Sequence, residues 1–174
     1  MPASESLNIA EFHGDGISAE LSESIHRIAE GLPLEIRFQP IDLSLENRQV
    51  NSEEAFEEAE AAMHSHRIAL KYPTVTESIS PNKILRERFN FSVIHRPVVS
   101  IPGVKTRHDC TVDLHIVRIA VGGTYEDAGR RVGSEAAVSV RVIERGPSEE
   151  AARFGFLLAQ RLRCDLVSSS KHTI

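Results

Sequence analysis

Three arginines belong to short motifs whose residue types suit anion chemistry: Arg86 in "SPNKILR" (80–86), Arg96 in "HRP" (95–97) and Arg118 in "VRIAVGGTY" (117–125). The planar guanidinium fork binds carboxylates bidentately and never loses its charge, so three of them at strand and helix ends suit a ligand with several carboxylates. Ser80 and Asn82, at the start of a helix, add neutral donors, although Ser80 also fits a plain N-cap and an isolated arginine is usually a surface cation. Tyr125 and Lys171, the latter in the closing "SSSKHTI", form a candidate acid/base pair, because a phenol or an amine moves protons once burial or neighbouring cations lower its pKa. Two further motifs are "KYPTVT" (71–76) and "GDGI" (14–17). The threonines of the first also suit a strand end, and the second also suits a tight turn. Asp109 with Asp113, and His64 with His66, are pairs without the further ligands a metal needs, so no metal site is assigned.

The elements that must position these residues follow from periodicity. "LNIAEF" reads as a strand, "HGDGI" as a turn, and a helix starts near Ser18 with Leu21, Ile25 and Ile28 on one face. "LEIRFQPI" alternates as a second strand; Asn51 is placed as the N-cap of "SEEAFEEAEAAMHSH", with Glu54 completing a capping box; "RIALKYP" returns as a third strand. Strands separated by helices give a parallel sheet covered on both faces, an α/β, doubly wound arrangement. Downstream, "SPNKILRERF" is a short helix, "FSVIHRPVVSI" and "VDLHIVRIAV" are strands, and the glycine-punctuated stretch to Ile143 forms hairpin strands. Gly146-Pro147 opens an amphipathic helix and "CDLVSSS" begins a last strand. The expected division is 1–97, part of a larger α/β domain, and 98–174, part of a smaller lobe with a hairpin arm at 126–144.

Composition narrows the function classes. The 174 residues are 41% apolar with a net charge of −5 and no tryptophan, and the basic residues are scattered, which argues against a nucleic-acid partner. No apolar run reaches the roughly 20 residues of a membrane span, and the first residues lack the layout of a secretion signal, so a cytoplasmic location is expected. Cys110 and Cys164 suit reduced thiols rather than a disulfide framework.

Taken together, "GDGI", "LRERFNFSVIHRPVVSIPGVKT", "KYPTVT", "SPNKILR", "RIAVGGTY" and "SSSKHTI" resemble the isocitrate/isopropylmalate dehydrogenases, the β-decarboxylating dehydrogenases, from about Phe12 to Ile174. Several of these motifs are most similar to NADP-dependent isocitrate dehydrogenase of the eukaryotic type. The resemblance implies that Ser80, Asn82, Arg86, Arg96 and Arg118 bind a hydroxy-acid substrate, and that Tyr125 protonates the enol left by decarboxylation. It further implies that Lys171 assists proton removal from the hydroxyl in a neighbouring subunit's site, and that Lys71, Thr74 and Thr76 lie beside the substrate and the nicotinamide end of NADP or NAD. A homodimer joined through 126–144 is implied, as is Mg2+ or Mn2+. The chain departs from the family pattern at His13, where proline is usual, and in a short loop between Thr76 and Ser80. The family's metal-binding aspartates follow the lysine segment, so the expectation is the N-terminal portion of an enzyme, inactive without a complementing C-terminal chain; the alternative is a non-catalytic polycarboxylate-binding or regulatory module.

Overall fold

The structure is a computed structural model that describes residues 6–77, 79–108, 110–123 and 129–169. It falls into two compact units that divide between Phe89 and Asn90. The boundary expected at 97 lies inside a strand of the second unit.

In the first unit, β1 (Ser6–His13), β2 (Glu35–Asp42) and β3 (Ala69–Lys71) form a parallel sheet in the order β2-β1-β3. The central strand pairs Ser6 through His13 with Glu35 through Asp42 on one side, and Ala10 through Phe12 with Ala69 through Lys71 on the other. The helices α1 (Ser18–Glu30), α2 (Leu45–His66) and α3 (Pro81–Arg88) complete the unit. Alternation along β1 sends Ala10 and Phe12 to a core shared with Ile41, Leu43 and Phe56, into which α2 projects the small-residue stripe Ala55, Ala59 and Ala62, and α3 projects Leu85. Glu11 points to the opposite face, where α1 lies. Both faces are therefore covered, and the doubly wound α/β expectation holds.

Two local expectations need correction. On α1 the buried residues are Ser18 and Ser22, while Ile28 is 61% exposed. The reason is Glu11, 1% exposed: a buried carboxylate needs donors, so the face of α1 toward it carries Ser22 and His26 rather than an unbroken apolar stripe. On α2 the N-cap is Ser44, whose hydroxyl accepts from the Asn47 N–H at 3.3 Å, and Asn51 is instead a break inside the helix (φ −129°, ψ 46°). Asn51 spends its side-chain amide on Asn47 Oδ1, 3.2 Å away, rather than on a capping box with Glu54.

The second unit contains β4 (Val93–Val99) and β5 (Asp113–Ile119), paired antiparallel with Val93 opposite Ile119 and Val99 opposite Asp113. It also holds a short hairpin of β6 (Arg130–Val132) and β7 (Ala136–Val138), and helix α4 (Arg145–Leu162), which packs on β5 and β4. The alternating stretch to Ile143 is strand only through Val138, with a single further bridge between Gly123 and Val142. The last strand expected at "CDLVSSS" is absent over 164–169: these residues have no ladder partner among the described residues, and extended chain becomes strand only by pairing. No described helix is long and apolar enough to cross a membrane. Cys110 and Cys164 are both exposed and unbridged.

Candidate active site

In the first unit the turn after β1 and the loop after β3 meet at the carboxyl ends of neighbouring parallel strands. With the order β2-β1-β3 the chain reverses direction across the sheet there, and open α/β sheets bind ligands in the crevice so formed. The loop from Tyr72 to Thr76 is held at several points. Tyr72 donates its N–H to Phe12 O (3.1 Å) and its hydroxyl to Glu11 (2.6 Å). The Pro73 carbonyl accepts from the Asp15 N–H at 2.7 Å. The Asp15 carboxylate takes the N–H groups of Val75 and Leu45, each at 2.7 Å, and faces Arg48, which itself donates to the carbonyls of Val75 (2.9 Å) and Leu43 (2.8 Å). Gly14 is required by this approach, because a Cβ there would collide with the Pro73 carbonyl oxygen; Gly16 is required by its φ of +60°. The "GDG" turn is thus a clamp on the loop that carries Thr74.

The charges follow from this packing. Burial alone would raise the Asp15 carboxyl, and the Leu45 and Val75 N–H groups with Arg48 outweigh it, so its pKa is lowered. Glu11 behaves alike, lowered by Tyr72, Ser22 and His26 against the effect of burial, with His13 also 3.3 Å away. Tyr72 is pushed up to about 12, first by burial and then by donating to Glu11. Lys71 is pulled down to about 8 by burial and by the charges of Arg48 and Arg86, with Asp15 opposing. Its Nζ donates to Tyr72 O (2.8 Å) and Thr74 Oγ1 (2.9 Å).

Of the expected site residues, Lys71, Thr74, Thr76, Ser80, Asn82 and Arg86 belong to the first unit. Ser80 is the N-cap of α3 by backbone geometry, but its hydroxyl makes no capping bond. Asn82 and Arg86 are four apart on α3 and share a helix face. Arg96 and Arg118 belong to the second unit. The pairs Ile94–Arg118 and Arg96–Ile116 put both arginines on one face of the β4–β5 ladder, diagonal to each other with backbones about 7 Å apart. The other face carries His95 and His115, joined through Nε2 and Nδ1 at 2.9 Å beneath Phe154 of α4. Tyr125 and Lys171 lie outside the described residues.

A cavity of about 1220 Å³ between β5, α4 and residues 164–169 of the second unit includes Arg118 in its lining, together with apolar residues such as Ala151, Leu158 and Leu162. No three His, Cys, Asp or Glu side chains among the described residues converge as a metal site would require, so these residues do not fit a divalent cation.

Sequence reasoning missed Glu11, Asp15 as a clamp, and Arg48. A charge inside "LNIAEF", with Ser22 and His26 one helical turn apart on the next helix, was a readable signal for the first. Nothing in the sequence marks Arg48 among its neighbours.

Comparison with known proteins agrees with this architecture. Residues 6–174 match the family described as isocitrate/isopropylmalate dehydrogenase. The mitochondrial isocitrate dehydrogenase [NAD] subunit 1 of Ajellomyces capsulatus is 33% identical over 152 residues, 84% of this chain and 39% of that protein. The chloroplastic 3-isopropylmalate dehydrogenase of Solanum tuberosum is 30% identical over 154 residues, 86% of this chain and 43% of that protein. The crystal structure of isocitrate dehydrogenase from Methylococcus capsulatus superposes with a TM-score of 0.78 at 23% identity, over 91% of this chain and 49% of that one, and supports the fold. The chain spans about two fifths of the length of these curated relatives. With a family match over nearly its whole length and a parallel sheet whose loops carry the family's motifs, the chain belongs to the isocitrate/isopropylmalate dehydrogenase family.

Proposed function

We propose that this chain is the N-terminal portion of an NAD(P)-dependent enzyme that oxidises and decarboxylates a 2-hydroxy polycarboxylate, isocitrate foremost. The observation that supports the reading is the placement of Arg96 and Arg118 on one face of the β4–β5 ladder, where two guanidinium forks could each take a carboxylate of one acid. The shared face of Asn82 and Arg86 supports it from the first unit. In this reading Tyr125 and Lys171 are the acid and base, Lys71, Thr74 and Thr76 flank the nicotinamide, and segment 126–144 is the contact of a homodimer. The Ajellomyces relative is named for NAD, so NAD stands beside the NADP that the motifs suggest. Divalent metal would come from residues other than those described, and no step is assigned to it. A cytoplasmic location belongs to the same proposal.

Calorimetric titration with isocitrate tests the clamp. Binding heat should vanish in Arg96→Ala and in Arg118→Ala, and heat unchanged in both variants overturns the clamp. For turnover, a chain supplying the rest of the family's length should restore nucleotide reduction, and Lys171→Met should abolish it. A second reading is favoured by one relative, a mitochondrial isocitrate dehydrogenase [NAD] of Dictyostelium discoideum named as a regulatory subunit, 31% identical over 150 residues. In that reading this chain binds the acid in a regulatory role, and titration succeeds while complementation yields no reduction.

A further inference from the structure

We infer that His95 and His115 are positioning residues: their cross-strand hydrogen bond braces the β4–β5 ribbon and so sets the spacing of Arg96 and Arg118 on its other face. The inference rests on the acid-binding reading of those two arginines. His95 lies opposite Val117 and His115 opposite Pro97, so the imidazoles sit diagonally across the ladder. Arg96 lies opposite Ile116 and Arg118 opposite Ile94, a diagonal that slants the other way on the other face. The two diagonals respond alike to twist. Rotating one strand against the other carries the side chains of its two faces in opposite directions along the partner, so the rotation that shortens one slant above shortens the reverse slant below. The 2.9 Å approach of His95 Nε2 to His115 Nδ1 marks theirs as the shortened slant. The arginines therefore stand on the shortened slant of their own face, where their like charges favour unwinding and the imidazole bond opposes it.

The ribbon needs such a brace because β4 and β5 have no third strand among the described residues, and the twist between neighbouring strands varies widely. A guanidinium stands roughly 6 Å off the ribbon, so about 10° of twist shifts it by about 1 Å along its neighbour. A shift of that size spoils the fit of two forks to a ligand of fixed length. The imidazoles are themselves held in place. Asp113 Oδ1 lies 3.5 Å from His115 Nε2, which favours the tautomer with Nδ1 as acceptor, and Phe154 of α4 lies against His95 at 5.5 Å between ring centroids.

Residual dipolar couplings of the β4 and β5 amides, measured on the whole chain without ligand, report the twist. His95→Phe keeps a ring under Phe154 but removes the bond, and the twist should fall by about 5–10°. A twist equal to wild type overturns the brace. Calorimetric titration with isocitrate reads the consequence for binding. His95→Phe and His115→Leu should each weaken affinity roughly tenfold, within the coupling measured among residues of one hydrogen-bonded network. His95→Gln combined with His115→Asn places an amide N–H and a carbonyl oxygen where the two ring nitrogens stood, and should bring affinity back to within about threefold of wild type. No loss in either single variant, or a loss that the double variant leaves in full, overturns the positioning role. Absence of binding heat in the wild type overturns the acid reading instead, and the dipolar couplings still decide the brace.

Discussion

Asp15→Ala removes one carboxylate and with it three interactions that join separate parts of the first unit. The Leu45 and Val75 N–H groups each lose an acceptor at 2.7 Å, and Arg48 loses its counter-charge at 3.3 Å. The side chains of Asp15 and Arg48 are only 15% and 9% exposed, so water replaces these partners incompletely. A hydrogen bond to a charged group contributes about 1.5–3 kcal/mol, and a buried N–H left unpaired costs about 1–3 kcal/mol. Allowing for partial water access at both amides, the substitution should cost about 3–4 kcal/mol. A domain of this size loses several degrees per kcal/mol, so the melting temperature should fall by roughly 15 °C. The assay is a thermal melt by circular dichroism beside Asp42→Ala, which removes an exposed carboxylate accepting from the Ser44 N–H. Hydrogen exchange at the Val75 amide supplies the local readout. Asp15→Asn should recover less than half of the loss, because its amide turns one acceptor into a donor aimed at an N–H. The pH dependence has a definite sign: a carboxyl with a lowered folded pKa stabilises above its unfolded value, and this contribution fades as pH falls through the lower folded value. A melt of Asp15→Ala within about 3 °C of Asp42→Ala, with Val75 exchange unchanged, would refute the clamp.

Other substitutions separate the causes further. Gly14→Ala should cost about 2–3 kcal/mol or more, because the added methyl meets backbone oxygen that cannot yield without moving Pro73, and crystallography of the variant should show the loop displaced. Gly16→Ala meets no atom and should cost only the left-handed backbone penalty of about 1–2 kcal/mol, read from the same denaturation curves. Tyr72→Phe strips the 2.6 Å donor from buried Glu11, should cost about 1–3 kcal/mol, and should raise the Glu11 pKa so that stability is lost at a higher pH on acidification; an acid limb unmoved from wild type would count against this role.

What the sequence revealed depended on how local the signal was. The strands from Leu7 to Phe12 and from Leu34 to Ile41, and the glycine turn between β1 and α1, were legible because alternation and Gly14-Asp15-Gly16 act within a few residues of themselves. The helix at Pro81 was legible because proline suits the first helical turn. The start of α2 was misplaced because Asn51 looks like a cap, and nothing local shows that the chain is already helical from Leu45. The strand expected after Cys164 failed for the reason strands generally do: β-propensity describes a residue, whereas a ladder needs a partner. In the site, Arg86, Arg96 and Arg118 were legible as residue types, and the same-face relation of the last two emerged only from the register of β4 against β5. Arg48 was invisible because its partners, Asp15 and Val75, lie 33 and 27 residues away.

The break at Asn51 gives α2 two cooperative segments. Helical hydrogen bonds propagate stability along an uninterrupted ladder, and a non-helical residue uncouples what lies on either side. The segment from Leu45 to Val50 can therefore open by a sub-global fluctuation while Ala55, Ala59 and Ala62 stay packed on the sheet. Opening that segment takes Arg48 from the Val75 carbonyl and Leu45 from Asp15, so the tether at the Val75 end of the loop depends on fewer than two turns of helix while the ties of Tyr72 and Pro73 to β1 and its turn remain. Amide exchange along α2 should then show two protection levels meeting at Asn51, with the Val75 amide following the lower one.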